Sequence, residues 1–187
     1  MTEEELSKYD GTNPDLPIYI AVDGTIFDVT ASPQHYGPGG GYHIFAGRDA
    51  TRAFVTGCFE SDATADMRGA EEIFMPLDLD APPKLAAGAT EQEKAAAKKL
   101  WREKRQKAGR IGKAKVRKTV AHWKGMFEKG MGGKYHEVGK VKREPGWEKN
   151  LGQLRTLCKR AYDQRPKTSE GILDQDEGDI KAEDPRQ

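Results

Sequence analysis

Alternating apolar and polar positions near the start of the chain predict a β-hairpin. Residues 17–22 and 25–30 are rich in β-branched and aromatic side chains, and the Asp23-Gly24 pair between them is a two-residue turn signal. Before this hairpin, Thr2 is followed by three glutamates, a pattern typical of a capped helix start. The sequence therefore predicts a short helix followed by two antiparallel strands.

Four helices and one further strand are predicted downstream, after a loop over residues 31–42 that is rich in glycine and proline. These elements are a helix starting near Gly47, a capped helix from Thr90, a second helix from Gly112 to Lys129, a strand over 134–141, and a helix from Trp147 to Tyr162. Gly109 and Gly112 suggest the break between the second and third helices, because glycine weakens a helix interior. Beyond Pro166 the chain is acidic and poor in apolar residues, so we expect disorder there.

Charge is distributed unevenly along the 187 residues. Charged residues make up 33% of the chain and the mean hydropathy is -0.82, so we expect part of the chain to lie outside any core. The net charge is only +1, but residues 1–80 carry four Lys and Arg against fifteen Asp and Glu. Residues 94–124 carry thirteen Lys and Arg against a single acid, Glu103. An acidic body followed by a basic segment predicts two surfaces that suit different partners.

The two cysteines and the apolar runs place few constraints on the protein. Cys58 and Cys158 are far apart and have no zinc-site spacing, so we expect two unrelated thiols, with a disulfide as the alternative. No apolar run is long enough to span a bilayer, and the chain shows no signal peptide. The sequence leaves open whether an anchor precedes Met1.

Three stretches resemble one family. They are the hairpin over 16–30, the stretch His35-Tyr36-Gly37-Pro38-Gly39-Gly40-Gly41-Tyr42-His43 with its continuation to Gly57, and the late Lys134-Tyr135-x-x-Val138-Gly139 motif. They are similar to the membrane-associated progesterone receptor branch of the cytochrome b5-like haem/steroid-binding domains, and the middle stretch resembles its neuferricin subgroup. The resemblance covers roughly residues 2–75 and 119–141.

The resemblance implies an α+β fold in which a small sheet and paired helices form a haem cleft. It implies ferric haem b as cofactor, with Tyr42 as the axial ligand and Tyr36, Lys134 and Tyr135 as supporting cofactor-binding residues. It also implies a non-enzymatic module that serves partners such as cytochrome P450 enzymes, or haem handling, at the endoplasmic reticulum or another endomembrane. Residues 1–141 would form this domain, with a basic helical insertion over about 85–118, and 142–187 would form an extension.

The chemistry of the loop agrees with this implication but leaves one alternative. A phenolate is a hard anionic ligand that suits ferric iron and lowers its reduction potential, which disfavours electron carriage of the cytochrome b5 type. We expect the glycines to let the backbone approach a flat macrocycle, and Tyr36 to donate a hydrogen bond to Tyr42. His43, which adjoins Tyr42, is the alternative ligand, whereas His35, His122 and His136 have no metal-site spacing.

The basic segment supports a separate expectation. Its apolar residues are sparse, so residues 94–124 should form an arm that the haem pocket does not need. An anionic membrane surface or an acidic protein would be its partner, and nucleic acid is the less favoured option. A structural protein that kept the fold without haem, and binds an anionic assembly through this arm, stays open as a further alternative.

Overall fold

A computed structural model describes residues 1–174 and shows a three-stranded antiparallel sheet in the order β1-β2-β3. The helices are α1 (Glu3–Leu6), α2 (Pro33–Tyr36), α3 (Thr51–Thr56), α4 (Glu91–Glu128), α5 (Gly130–Gly133) and α6 (Lys159–Asp163). The strands are β1 (Tyr19–Val22), β2 (Thr25–Asp28) and β3 (His136–Lys140). Short 3-10 turns lie at Ser7–Tyr9, His43–Phe45, Ala70–Phe74, Leu77–Leu79 and Trp147–Asn150. The predicted α+β class and hairpin are confirmed.

The β1–β2 hairpin is buried on both faces because its strands carry apolar side chains on each side, whereas β3 is mostly exposed. Ile20 pairs with Phe27, and both side chains join the main core, which also contains Phe45 and Phe127. Ala21 pairs with Ile26 on the other face, where Leu6 of α1 covers them. The β1–β2 pairing therefore separates a large core from a small one.

The basic segment forms one continuous helix, so the predicted break near Gly112 is wrong. Thr90 and Glu93 make a capping box, and α4 then runs for 38 residues, about 57 Å at 1.5 Å per residue. Gly112 is the point of closest approach to the 70–74 turn, since a Cβ added there would lie 2.9 Å from the Glu71 carbonyl oxygen. The free energy gained by close packing at Gly112 exceeds the cost of a glycine in a helix interior, which is about 1 kcal/mol.

The basic segment packs against the body of the protein, which its sparse apolar residues did not lead us to expect; that the haem pocket does not need it stays a prediction. Ala108 and Ile111 are each 1% exposed, and Ala108 packs with Met75 and Leu79 in a third apolar cluster. The Trp101 indole donates a hydrogen bond of 3.1 Å to the Leu79 carbonyl oxygen. Sparse apolar residues are sufficient here because they fall on one side of α4 and meet a surface contributed by residues 70–80.

The predicted helix from Trp147 to Tyr162 is replaced by an extended segment between a 3-10 turn and α6. Arginine side chains from the body bind its carbonyl groups: Arg68 Nη2 donates to Gly152 at 3.1 Å and Arg52 Nη2 to Arg155 at 3.4 Å. Within a helix, those carbonyls would instead accept from their own chain. Tertiary hydrogen bonds thus replace the local ones that the apolar spacing indicated.

Cys58 and Cys158 form a disulfide with their Cα atoms 5.9 Å apart, so the expectation of two unrelated thiols is wrong. The extension is attached to the body a second time a few residues later, where the buried Arg165 makes two hydrogen bonds to Asp80, of 2.9 and 2.6 Å. The disorder predicted beyond Pro166 is also wrong for the described residues, because Leu173 packs on the cluster of Met75 and Leu79. Residues 175–187 lie outside the described chain.

Ile111→Ala should lower the free energy of unfolding by about 2–5 kcal/mol, because it leaves a cavity where α4 meets the 70–80 segment. Chemical denaturation measures this change. Lys118→Ala, at an exposed position of the same helix, is the control and should stay within about 0.5 kcal/mol of the parent. Equal stabilities for the two variants would restore the view of the segment as a detached arm.

Candidate functional site around Tyr42

The glycine-rich loop folds back onto α2 and thereby places Tyr42 beside Tyr36. The Gly37 amide donates to the Pro33 carbonyl at 2.8 Å, and the Tyr42 amide donates to the His35 carbonyl at 2.9 Å. The two phenol rings then lie 6.0 Å apart between centroids. Backbone hydrogen bonds therefore fix the site before any ligand is considered.

Two glycines make this return possible, for a reason other than the predicted approach to a macrocycle. A Cβ at Gly40 would lie 2.3 Å from the His35 carbonyl oxygen, and one at Gly37 would lie 2.5 Å from the Pro33 carbonyl oxygen. Both distances are far below van der Waals contact, so any side chain would push the loop off α2. At Gly39 and Gly41 a Cβ would meet nothing within 4 Å.

Tyr42 presents an exposed phenol above a floor of aromatic rings. Its side chain is 42% exposed, whereas Phe45 is 1% exposed. The Phe45 ring stacks at 5.9 Å with an interplanar angle of 10°, and Phe59 packs edge-on at 5.9 Å. Within residues 1–174 no group forms a hydrogen bond with the Tyr42 hydroxyl. Tyr42 is therefore accessible to a ligand, with the partly exposed ring of Phe59 beside it.

Tyr36 and Tyr135 continue this row of rings into the core. The Tyr135 ring packs edge-on against Tyr36 at 6.0 Å, and its hydroxyl donates to Ser32 Oγ at 3.0 Å. Burial raises the pKa of the Tyr36 phenol, and the neighbouring Tyr135 raises it further through its charge and a hydrogen bond. Tyr36 therefore stays protonated at neutral pH. Its ring packs against both tyrosines, but among residues 1–174 the expected hydrogen bond from Tyr36 to Tyr42 is not formed.

The structure brings the three predicted tyrosines together and leaves Lys134 exposed beside them. Lys134 directly precedes Tyr135, and its amide donates to the Gly130 carbonyl at 2.6 Å. Lys134 is thus exposed and adjoins the tyrosine row through its backbone. No described residue forms an ion pair with Lys134.

The histidines occupy different surroundings. His43 Nδ1 lies 3.1 Å from the Tyr36 carbonyl oxygen, so its ring is engaged with the loop backbone. The exposed His35 ring lies 6.4 Å from Tyr42, His122 packs against Trp123, and His136 lies 3.8 Å from Asp28. Among residues 1–174 no group of three or more His, Cys, Asp or Glu side chains could hold a metal ion.

Sequence reasoning missed the aromatic floor and the cation at its rim. Phe59 contacts both Tyr42 and Phe45, and the Arg160 guanidinium lies 6.0 Å from the Phe59 ring centroid. Phe59 follows Cys58 outside any regular element, so no periodicity marked it. A known pairing of Cys58 with Cys158 would have brought Phe59 and Arg160 close to each other.

A cavity of about 790 Å³ lies elsewhere, between the β1–β2 turn, α4 and the extension, and contains none of the tyrosines. Several of its charges are already paired: Arg68 makes two hydrogen bonds of 2.9 Å to Asp66, and Arg143 binds Asp49 at 2.7 Å. Paired charges of both signs define no ligand class. We therefore place the candidate site at Tyr42.

Comparison with known proteins identifies the family. The family model for "Cytochrome b5-like Heme/Steroid binding domain" matches residues 2–115, which is more than half of the chain. This chain belongs to that family. The predicted family and cytochrome b5-like fold are thereby confirmed, although the match runs through much of the basic segment that we expected to be an insertion.

Individual relatives agree with the family. Membrane-associated progesterone-binding protein 4 of Arabidopsis thaliana is 56% identical over 63 residues, 34% of this chain and 26% of that protein. Neuferricin of Danio rerio is 52% identical over 59 residues, 32% of this chain and 22% of that protein. A solved Arabidopsis thaliana protein with a cytochrome b5 like fold is 30% identical, with a TM-score of 0.41, over 76% of this chain and 90% of that one. The chain thus matches about a quarter of the length of the two named relatives.

No helix within residues 1–174 is long and apolar enough to cross a bilayer.

The raised pKa of Tyr36 predicts how stability depends on pH. Below the ordinary tyrosine pKa of about 10, Tyr36 holds its proton in both the folded and the unfolded state. Its contribution to the free energy of unfolding is then fully present. Above about pH 10 the unfolded state loses the proton first, and stability falls by up to about 1.4 kcal/mol per pH unit. Tyr36→Phe should remove this part of the alkaline slope, measured by denaturation between pH 8 and 12.

Tyr162→Phe, at an exposed position, is the matched control for this measurement. An alkaline slope that Tyr36→Phe leaves unchanged would show that Tyr36 ionises equally readily in both states.

Proposed function

We propose that this protein is a haem-binding module in which the phenolate of Tyr42 is the axial ligand of ferric haem. The single observation that carries the proposal is an accessible phenol without a hydrogen-bond partner among the described residues, held above the rings of Phe45 and Phe59. A flat, mostly apolar macrocycle would pack beside the partly exposed ring of Phe59, the phenol oxygen would reach its metal, and the buried ring of Phe45 would support Tyr42 from the core side. The family description, which includes haem binding, supports the same ligand.

The other residues of the site have distinct roles in this proposal. Tyr42 would hold the iron as a phenolate, a hard anionic ligand that suits ferric iron. Tyr36 and Tyr135 support the ring of Tyr42 from the core, with Ser32 fixing the Tyr135 hydroxyl. Lys134 supplies a cation near the tyrosine row for a propionate group of haem b.

We also propose that the module binds and presents haem and has no catalytic role of its own. Anionic oxygen ligation favours the ferric state, so a low reduction potential sets the protein apart from electron carriers of the cytochrome b5 type. The relatives are named for membrane association and progesterone binding, or as neuferricin. By that resemblance the proposed setting is an endomembrane such as the endoplasmic reticulum, and the proposed partners include cytochrome P450 enzymes.

Tyr42→Phe should lower the affinity for hemin by more than tenfold, which corresponds to about 1.4 kcal/mol, because it removes the ligand atom and keeps the ring. Hemin titration followed by the Soret absorbance measures the affinity, and quenching of tryptophan fluorescence provides a second readout. His43→Ala is the control and should bind hemin as the parent does. Retained binding in Tyr42→Phe together with lost binding in His43→Ala would reassign the ligand to the histidine.

A second proposal concerns one exposed side of α4, on which Lys113 and Arg117 also line the cavity described above. Lys99, Arg102, Lys113 and Arg117 are exposed at steps that keep them on one side of the helix, spanning about 27 Å. The opposite side, with Ala108 and Ile111, is buried in the body, so the row is held straight. We propose that this row binds the surface of an anionic membrane. A row of exposed cations along one side of a helix suits an anionic surface, and its lack of exposed aromatic rings disfavours stacking on nucleic-acid bases.

Changing these four cations to Gln should reduce binding to vesicles containing phosphatidylserine by at least tenfold, since each cation near an anionic surface contributes about 1 kcal/mol. Vesicle sedimentation measures binding, which should weaken as salt rises. The charge-matched control changes Lys140, Lys142, Lys149 and Lys159 to Gln, all exposed positions outside α4. Equal loss in both variants would mean that net charge alone determines binding, and a preference of the parent for duplex DNA over vesicles would favour nucleic acid.

A further inference from the structure

The C-terminal extension brings a cation to the rim of the proposed haem site. Arg160 lies on α6, with its guanidinium carbon 6.0 Å from the Phe59 ring centroid. Phe59 in turn packs edge-on against Tyr42 at 5.9 Å and against Phe45 at 5.1 Å. Arg160 stands outside residues 2–115, the part that the family model matches. The extension therefore adds a charged group to a site that the family region supplies with aromatic rings.

Arg160 differs from the other arginines of the extension in how its charge is used. Arg143 binds Asp49 and Glu3, Arg155 donates to the Ser61 carbonyl oxygen, and Arg165 binds Asp80. Within the described chain, no carboxylate pairs with Arg160, and its contact is the face of Phe59. The neighbouring Lys159 is paired with Asp163 at 2.5 Å. The guanidinium of Arg160 is exposed and stays available to an anion from outside the chain.

A covalent bond fixes the position of Arg160. Cys158 is the N-cap residue of α6, and it is joined to Cys58, the residue directly before Phe59. Ala161, the next residue after Arg160, is fully buried. The disulfide thus ties the start of α6 to the chain segment that carries Phe59, and the contact between Arg160 and Phe59 follows from it.

We infer that Arg160 is an anion-binding residue of the Tyr42 site, that it binds a carboxylate at the periphery of the bound macrocycle, and that the Cys58–Cys158 disulfide positions it. This inference rests on the proposed function and deepens it by naming the ligand class: a planar ligand that carries carboxylates. A guanidinium binds a carboxylate through two parallel hydrogen bonds, and the ring of Phe59 supports its other face. A neutral steroid offers no carboxylate and gains nothing from Arg160.

The test compares hemin with its dimethyl ester, in which both propionates are esterified, on the full chain. Arg160→Gln should weaken hemin binding by about threefold or more, the size expected for a partly exposed ion pair, and leave binding of the ester unchanged. Lys159→Gln removes the same charge from the adjacent position and should leave both affinities unchanged. Soret absorbance and tryptophan quenching measure each affinity.

A double change of Cys58 and Cys158 to Ala tests the positioning role. It should weaken hemin binding as Arg160→Gln does, and adding Arg160→Gln to it should cause no further loss. Should the cysteine variant fail to fold, Arg160→Gln retains the disulfide and still decides the first claim.

Results that contradict the role of Arg160 can be told apart from results that contradict haem binding itself. Unchanged hemin affinity in Arg160→Gln, with the parent binding hemin, overturns the inference and leaves the proposed function standing. Equal loss for hemin and ester shows a structural role for Arg160 and also overturns it. A parent that binds neither compound overturns the proposed function together with the inference.

Discussion

The side chain of Arg52 holds three parts of the chain together inside the protein. Its guanidinium is fully buried, lies 3.0 Å from the Asp62 carboxylate, and donates to the carbonyls of Asp66 and Arg68. Because a buried charge without its partner is unstable, losing Asp62 would cost about 3–5 kcal/mol. Arg52 therefore dictates the path of the chain after α3. The positions of Cys58 and Phe59, and through them the extension and the rim of the Tyr42 site, depend on that path.

Local signals in the sequence were enough for the hairpin and for the start of α4. The Asp23-Gly24 turn fixes its own register, and the capping box of Thr90 and Glu93 needs only four residues. Distant contacts left no such signal. Gly112 is conformationally a helix breaker and turns out to be a packing contact with Glu71, and the Cys58–Cys158 pair spans a separation of 100 residues. In each case tertiary structure decided against the local preference.

The residues of the candidate site also fall into those that local sequence predicted and those that only the structure revealed. Tyr36, Tyr42 and Tyr135 were predicted because they lie in recognisable motifs, and the structure places their rings in one row. Phe59 and Arg160 lie in irregular or short segments where a single aromatic or cation carries no pattern. Gly37 and Gly40 serve contact with α2, a role that the sequence did not indicate, and the approach of the loop to a macrocycle stays a prediction. A sequence motif thus locates the site, while some of the residues that surround it come from segments without a motif.

The disulfide also closes a covalent ring around the whole of α4. Residues 81–88, just before that helix, are exposed throughout and lie on the ring. A protease that cuts once in this stretch would release no fragment, because the two pieces stay joined through sulfur. The folded molecule would keep its described contacts, yet its unfolded state would gain the freedom that ring closure had removed, a difference of about 4–5 kcal/mol in the chain-entropy model. A single nick could therefore destabilise this protein without breaking any of its native interactions.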